Sequence, residues 1–125
     1  MGFGRLLAVA SLVLVALAAG TPQAFYDRQS EVDAAVVAAG RAIYADRKCA
    51  TCHMIAGKGN SRFPLDGVAA RLSVDDIRRW LTDTAEMEGA LPKQPAVRMS
   101  EWMDDNRRIN ARDREALVAY LASLK

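Results

Sequence analysis

Cys49-Ala50-Thr51-Cys52-His53 is the stretch that decides how this chain folds. Two thiols at this spacing can add to the two vinyl groups along one side of a porphyrin, and C-x-x-C-H is the attachment pattern of a c-type haem. The histidine that follows then lies beneath the iron, where a neutral imidazole supplies one axial bond. A sixth ligand, or an open position, must come from elsewhere in the chain. These are the only two cysteines, so none remains for a structural disulfide or a Cys-rich zinc site. Read instead as a thioredoxin-like redox pair, the two thiols would need a βαβ setting, and no strand run flanks them.

Upstream, Met1-Gly2-Phe3-Gly4-Arg5 and an apolar run from Leu6 to Ala19 have the form of a secretory signal peptide. The expectation is a leader over residues 1–20, cleaved between 18 and 24, and a single domain over residues 25–125 in the periplasm. Ala16-Leu17-Ala18 and Ala18-Ala19-Gly20 offer small-residue cleavage sites. A spanning helix needs about 20 apolar residues, more than Arg5 and Pro22 leave between them, so the mature chain is expected to carry no stable membrane span. What remains, roughly 100 residues, is small enough to profit from a cofactor staple. The formal charge of +2 is nearly balanced, which gives no reason to expect nucleic acid as a partner. No internal repeat or low-complexity tract stands out.

Outward from the motif, a helix is expected over Ser30 to Asp46, with Val36, Gly40, Ile43 and Tyr44 on one stripe. Gly40 inside a helix is disfavoured by about 1 kcal/mol relative to alanine, and a close helix crossing would explain it. The last helix is expected from Ala111 to Leu124, with Asn110 as N-cap and Asp113 at N3. Its apolar face, Leu117, Tyr120, Leu121 and Leu124, complements the first stripe. The terminal helices are therefore expected to cross. Between them, Ser73-Val74-Asp75-Asp76 opens a middle helix with Ile77, Trp80 and Leu81 on one face. The glycine-rich segment from Met54 to Gly67 reads as an ordered loop.

Gly40-x-x-x-Tyr44, then Cys49 to His53, then Leu117-Val118-Ala119-Tyr120-Leu121 resemble a class I c-type cytochrome, from about residue 30 to the C-terminus. The resemblance implies an all-α cytochrome c fold, with three main helices and ordered loops around one covalently bound haem c. It implies a His/Met-ligated iron as well. Pro64 falls where the family places a proline whose carbonyl accepts the ring N–H of the ligand histidine. Leu65 and Val68 become haem-wall residues, and Trp80 matches a buried aromatic whose indole can reach a haem propionate.

Met54, Met87, Met99 and Met103 are the candidates for the sixth ligand. Met54 adjoins His53 on the proximal side, and Met87 still belongs to the exit of the middle helix. Met99 sits in Pro95-Ala96-Val97-Arg98-Met99-Ser100, read as an extended stretch that matches the family's distal methionine loop. It ranks first, with Met103 second. As plain residues, all of these methionines could equally be flexible core fillers.

With both axial positions filled, the iron has no place for substrate. The expectation is a one-electron carrier and no enzyme, a monomer or a subunit of a redox complex, exchanging electrons with periplasmic redox proteins. Two alternatives stay open: a dedicated cytochrome subunit of a periplasmic oxidoreductase, and a haem protein whose open sixth position binds a small gas. Lys48, Lys58, Arg62 and Arg98 could form a basic rim facing an acidic partner, or a solvated face only.

Overall fold

The computed structural model describes residues 21–104 and 109–125; the leader expected over residues 1–20 lies outside them. Helix α1 runs over Pro22–Asp46, two turns earlier than the apolar stripe alone indicated. Pro22 stands at its first position, where a missing N–H does no harm. Gln23 and Gln29 donate to Asp27 and Asp33 one turn on, at 3.0 and 2.9 Å. Up to Val36 the helix is exposed wherever its side chains are described. Val36 itself, expected on the buried stripe, is 38% exposed; packing on α1 begins only past this point.

Lys48 turns the chain out of α1 with a left-handed backbone, φ 54°, and a 3-10 turn over Cys49–Thr51 follows. The segment read as a loop contains a small sheet of β1 (His53–Ile55), β2 (Lys58–Gly59) and β3 (Phe63–Pro64), ordered β2-β1-β3. Strands β1 and β2 form an antiparallel hairpin around Ala56 and Gly57, both at positive φ. Tight hairpins of this kind favour Asn-Gly or Asp-Gly, and an alanine in the left-handed region hides the signal. Strand β3 pairs in parallel with β1, His53 beside Phe63 and Met54 beside Pro64.

Beyond the sheet come α2 (Val68–Arg71), α3 (Val74–Thr82), α4 (Thr84–Gly89), α5 (Met99–Asp104) and α6 (Ala111–Ala122). Helix α3 starts with the expected capping box: the Ser73 hydroxyl accepts from the Asp76 N–H at 3.1 Å, and the Asp76 carboxylate reaches back to Ser73. Asn110 caps α6 by accepting from the Asp113 N–H at 2.9 Å. Three of the helices, α2, α4 and α5, were not legible as helices. Met99 opens α5 rather than standing in an extended stretch.

Helices α1 and α6 cross at Gly40. A Cβ there would fall 2.6 Å from the carbonyl carbon of Ala116 and 2.7 Å from the Cβ of Tyr120, closer than any side chain permits. The rings of Tyr44 and Tyr120 meet edge-on, centroids 6.0 Å apart. Arg78 on α3 grips Glu115 on α6 through Nε and Nη2 at 3.0–3.1 Å. The core cluster, Tyr44, Val68, Ile77, Leu117, Val118 and Leu121, draws on α1, α2, α3 and α6.

Candidate functional site

Against this core lies a cavity of about 500 Å³, almost wholly apolar in its lining. That volume is within the range of about 300–1,000 Å³ found for small-molecule and cofactor sites. Cys49, Cys52, His53, Leu65, Trp80 and Met99, all singled out in the sequence, line it together. Pro64 does not. Met103 is on the wall as well, whereas Met54 and Met87 are absent from it.

The motif is held by its own backbone. Asn60 donates its N–H to the carbonyls of Ala50 and His53, at 3.0 and 3.1 Å, and its side-chain amide to that of Thr51 at 3.1 Å. Gly59 makes this closeness possible, because a Cβ at its φ of 104° would collide with the His53 carbonyl. Tyr44 donates its hydroxyl to the same carbonyl at 3.3 Å. Burial pushes the Tyr44 phenol up to about 12, with Cys49, Tyr120 and Asp66 adding smaller contributions.

His53 is half-buried, and desolvation pulls its pKa below the usual histidine value against the opposing effect of the Phe63 carbonyl. The ring is therefore neutral at neutral pH. Its Nδ1–H donates to the Phe63 carbonyl at 3.0 Å, which leaves the lone pair on Nε2. The hydrogen bond expected from Pro64 is thus made one residue earlier. The parallel register sets Phe63, not Pro64, abreast of His53, while Pro64 is exposed.

Trp80, on α3, is half-buried; its backbone carbonyl accepts from the Thr84 hydroxyl at 2.9 Å. Leu65, also half-buried, follows β3 and returns its N–H to the Met54 carbonyl at 2.8 Å. Met99 and Met103 project from α5, both half-buried. Lys48, Lys58, Arg62 and Arg98 are all exposed, but Arg98 faces the Glu88 carboxylate at 3.6 Å and so is partly neutralised.

Glu88 escaped the sequence reading. It is 1% exposed and lines the same cavity, yet a glutamate between Met87 and Gly89 on a polar helix gives no periodic signal. Asn60 escaped too, as one polar residue among many turn formers.

The residues present suit a covalently held porphyrin. Two half-buried thiols, a neutral imidazole with one nitrogen engaged and the other carrying its lone pair, and two thioethers share one apolar wall. The family model described as Cytochrome c matches residues 37–125. Comparison with curated proteins and with solved structures gave no match.

Proposed function

Since the chain belongs to the cytochrome c family, whose members are haem-based electron carriers, we propose that it is a one-electron carrier of the periplasm with a single haem c and His/Met ligation. Cys49 and Cys52 would anchor the porphyrin, and His53 and Met99 would ligate the iron. Bound there, the haem supplies a reversible one-electron couple whose ferrous form a thioether ligand favours, raising the potential.

The reading rests on one observation: His53, with Nδ1–H tied to a backbone carbonyl, lines the same apolar cavity as both motif thiols and Met99. Each part has a task. The Phe63 carbonyl fixes the imidazole tautomer and strengthens its donor nitrogen. Leu65, Val68, Ile77 and Leu117 keep the wall dry, which holds the local dielectric low and limits reorganisation of solvent around a changing charge. Trp80 offers an indole N–H to a propionate, and Lys48, Lys58 and Arg62 present positive charge beside the motif to an acidic redox partner. Among the described residues no helix is long and apolar enough to cross a membrane.

Optical spectra of Met99→Ala test the assignment. Loss of the sulfur-to-iron charge-transfer band of the oxidised protein, together with prompt binding of carbon monoxide by the reduced variant but not by the parent, is the expected result. A band that persists moves the ligand to Met103. A parent that binds carbon monoxide at once has an open sixth position and belongs to the gas-binding class, and a negative pyridine haemochrome assay for covalent haem refutes the carrier altogether.

A further inference from the structure

Glu88 is the most deeply buried charged side chain among the described residues. An uncompensated buried carboxylate is strongly destabilising, so its partners matter, and its side-chain contacts converge on three consecutive residues. One oxygen, Oε1, accepts from the backbone N–H of Met99 and, at 3.2 Å, from that of Ser100. The other, Oε2, accepts from the Ser100 hydroxyl and faces Nε of Arg98 at 3.6 Å. The backbone carbonyl of Glu88 meanwhile accepts from the Gln94 side chain at 2.8 Å. One residue of α4 thus fastens the loop between α4 and α5 at its middle and at its end.

We propose that Glu88 is the positioning residue for the distal ligand, holding Met99 at the cavity wall through the backbone of residues 98–100; this rests on the reading of Met99 as that ligand. Effective concentration decides whether the sulfur stays bound. A thioether is a neutral, weak donor, and it competes with outside ligands only while its tether keeps it in place. With the backbone of Met99 fixed, only its side-chain torsions remain free. Loosen that backbone and the ligating arrangement becomes a fraction of the ensemble, which lowers the apparent affinity of the sulfur by the same fraction. The N–H groups of Met99 and Ser100 open α5, where no intrahelical acceptor exists for them. A carboxylate satisfies both, with bonds roughly twice as strong as neutral ones. A glutamine in its place turns an amide N–H₂ toward the Ser100 hydroxyl and the Arg98 guanidinium, replacing two attractions with one weak contact and one repulsion.

The test uses the haem-loaded full chain and two readouts: the sulfur-to-iron band of the oxidised protein, and the apparent affinity of the ferric protein for added imidazole. Glu88→Gln is expected to weaken the band and to tighten imidazole binding by about tenfold or more, the scale of one lost charge-assisted hydrogen bond. Ser100→Ala should move both readouts the same way and by less. Glu115→Gln, which breaks the Arg78 pair between α3 and α6, controls for general loosening and should move neither. An unchanged band and imidazole affinity in Glu88→Gln overturn the positioning role, as does an equal effect in Glu115→Gln. If Glu88→Gln does not accumulate as holoprotein, Ser100→Ala decides by the same criterion. A band that survives Met99→Ala overturns the ligand reading itself, whereas a band lost in Met99→Ala and intact in Glu88→Gln overturns only the role of Glu88.

Discussion

Gly40→Ala sets two effects of opposite sign against each other. In an isolated helix the change favours folding by about 1 kcal/mol. In this fold the new methyl would press on the Ala116 carbonyl and stand 2.7 Å from the Tyr120 Cβ, against a normal carbon–carbon separation of about 3.5–4.0 Å. The helices must part by roughly 1 Å, and a gap of that size forfeits about a quarter to a half of each contact's attraction. Overpacking typically destabilises by about 1–3 kcal/mol, and here the obstacle is backbone, which cannot swing aside, so the upper end applies. Net of propensity, Gly40→Ala should destabilise by about 2 kcal/mol, lowering Tm by about 8–16 °C for a domain of this size. Gly89→Ala is the control: nothing lies within 4 Å of a Cβ there, so it should be neutral or stabilising by up to about 1 kcal/mol. Thermal unfolding of both variants as holoprotein checks the pair. A Gly40→Ala protein as stable as the parent would refute the close crossing of α1 and α6.

Two further outcomes follow from the proximal side. The Tyr44 phenol is raised from its ordinary value near 10 to about 12 in the folded chain, so its contribution is fully present below the unfolded value and is lost as pH rises toward the folded one. Guanidinium midpoints should therefore fall more between about pH 10 and 12 for the parent than for Tyr44→Phe, and equal slopes would refute the assignment. In the reduced protein, NMR coupling across the hydrogen bond should connect His53 Nδ1 to the carbonyl carbon of Phe63, because that carbonyl is the acceptor; a coupling to the Pro64 carbonyl carbon instead would return the acceptor role to residue 64.

The features legible in the sequence are those set by short-range chemistry or strict periodicity. The Ser73 and Asn110 caps, the apolar face of α6 and the meaning of Gly40 were of this kind, since each follows from backbone groups or packing at fixed spacing. Residues whose roles depend on register were not. The acceptor for His53 shifted from Pro64 to Phe63 because a parallel pairing between three-residue and two-residue strands has no pattern of its own. The first two turns of α1, residues 22–29, were missed because Gln–Asp pairs one turn apart, rather than burial, support the extension to Pro22. Glu88 was missed because its value lies in a partner segment that only the folded chain brings near. Of the candidate site, the segments that line the cavity, the C-x-x-C-H stretch among them, could be read in advance; which side chains hold those segments in place could not.

Tyr44, Val68, Ile77, Leu117 and Leu121 belong at once to the core cluster and to the cavity wall. Among the described residues, the buried core is therefore almost entirely also the wall of the cavity proposed to hold the haem. Enlarging core side chains to fill space, one route to a hardier protein, would at these positions take volume from the cavity itself. Hardening must come instead from the outside: from caps, from surface pairs such as Arg78 with Glu115, and from loop anchors. Variation tolerated by selection should accordingly concentrate on the outer faces of α3 and α6, leaving the inner faces to change only in compensating pairs.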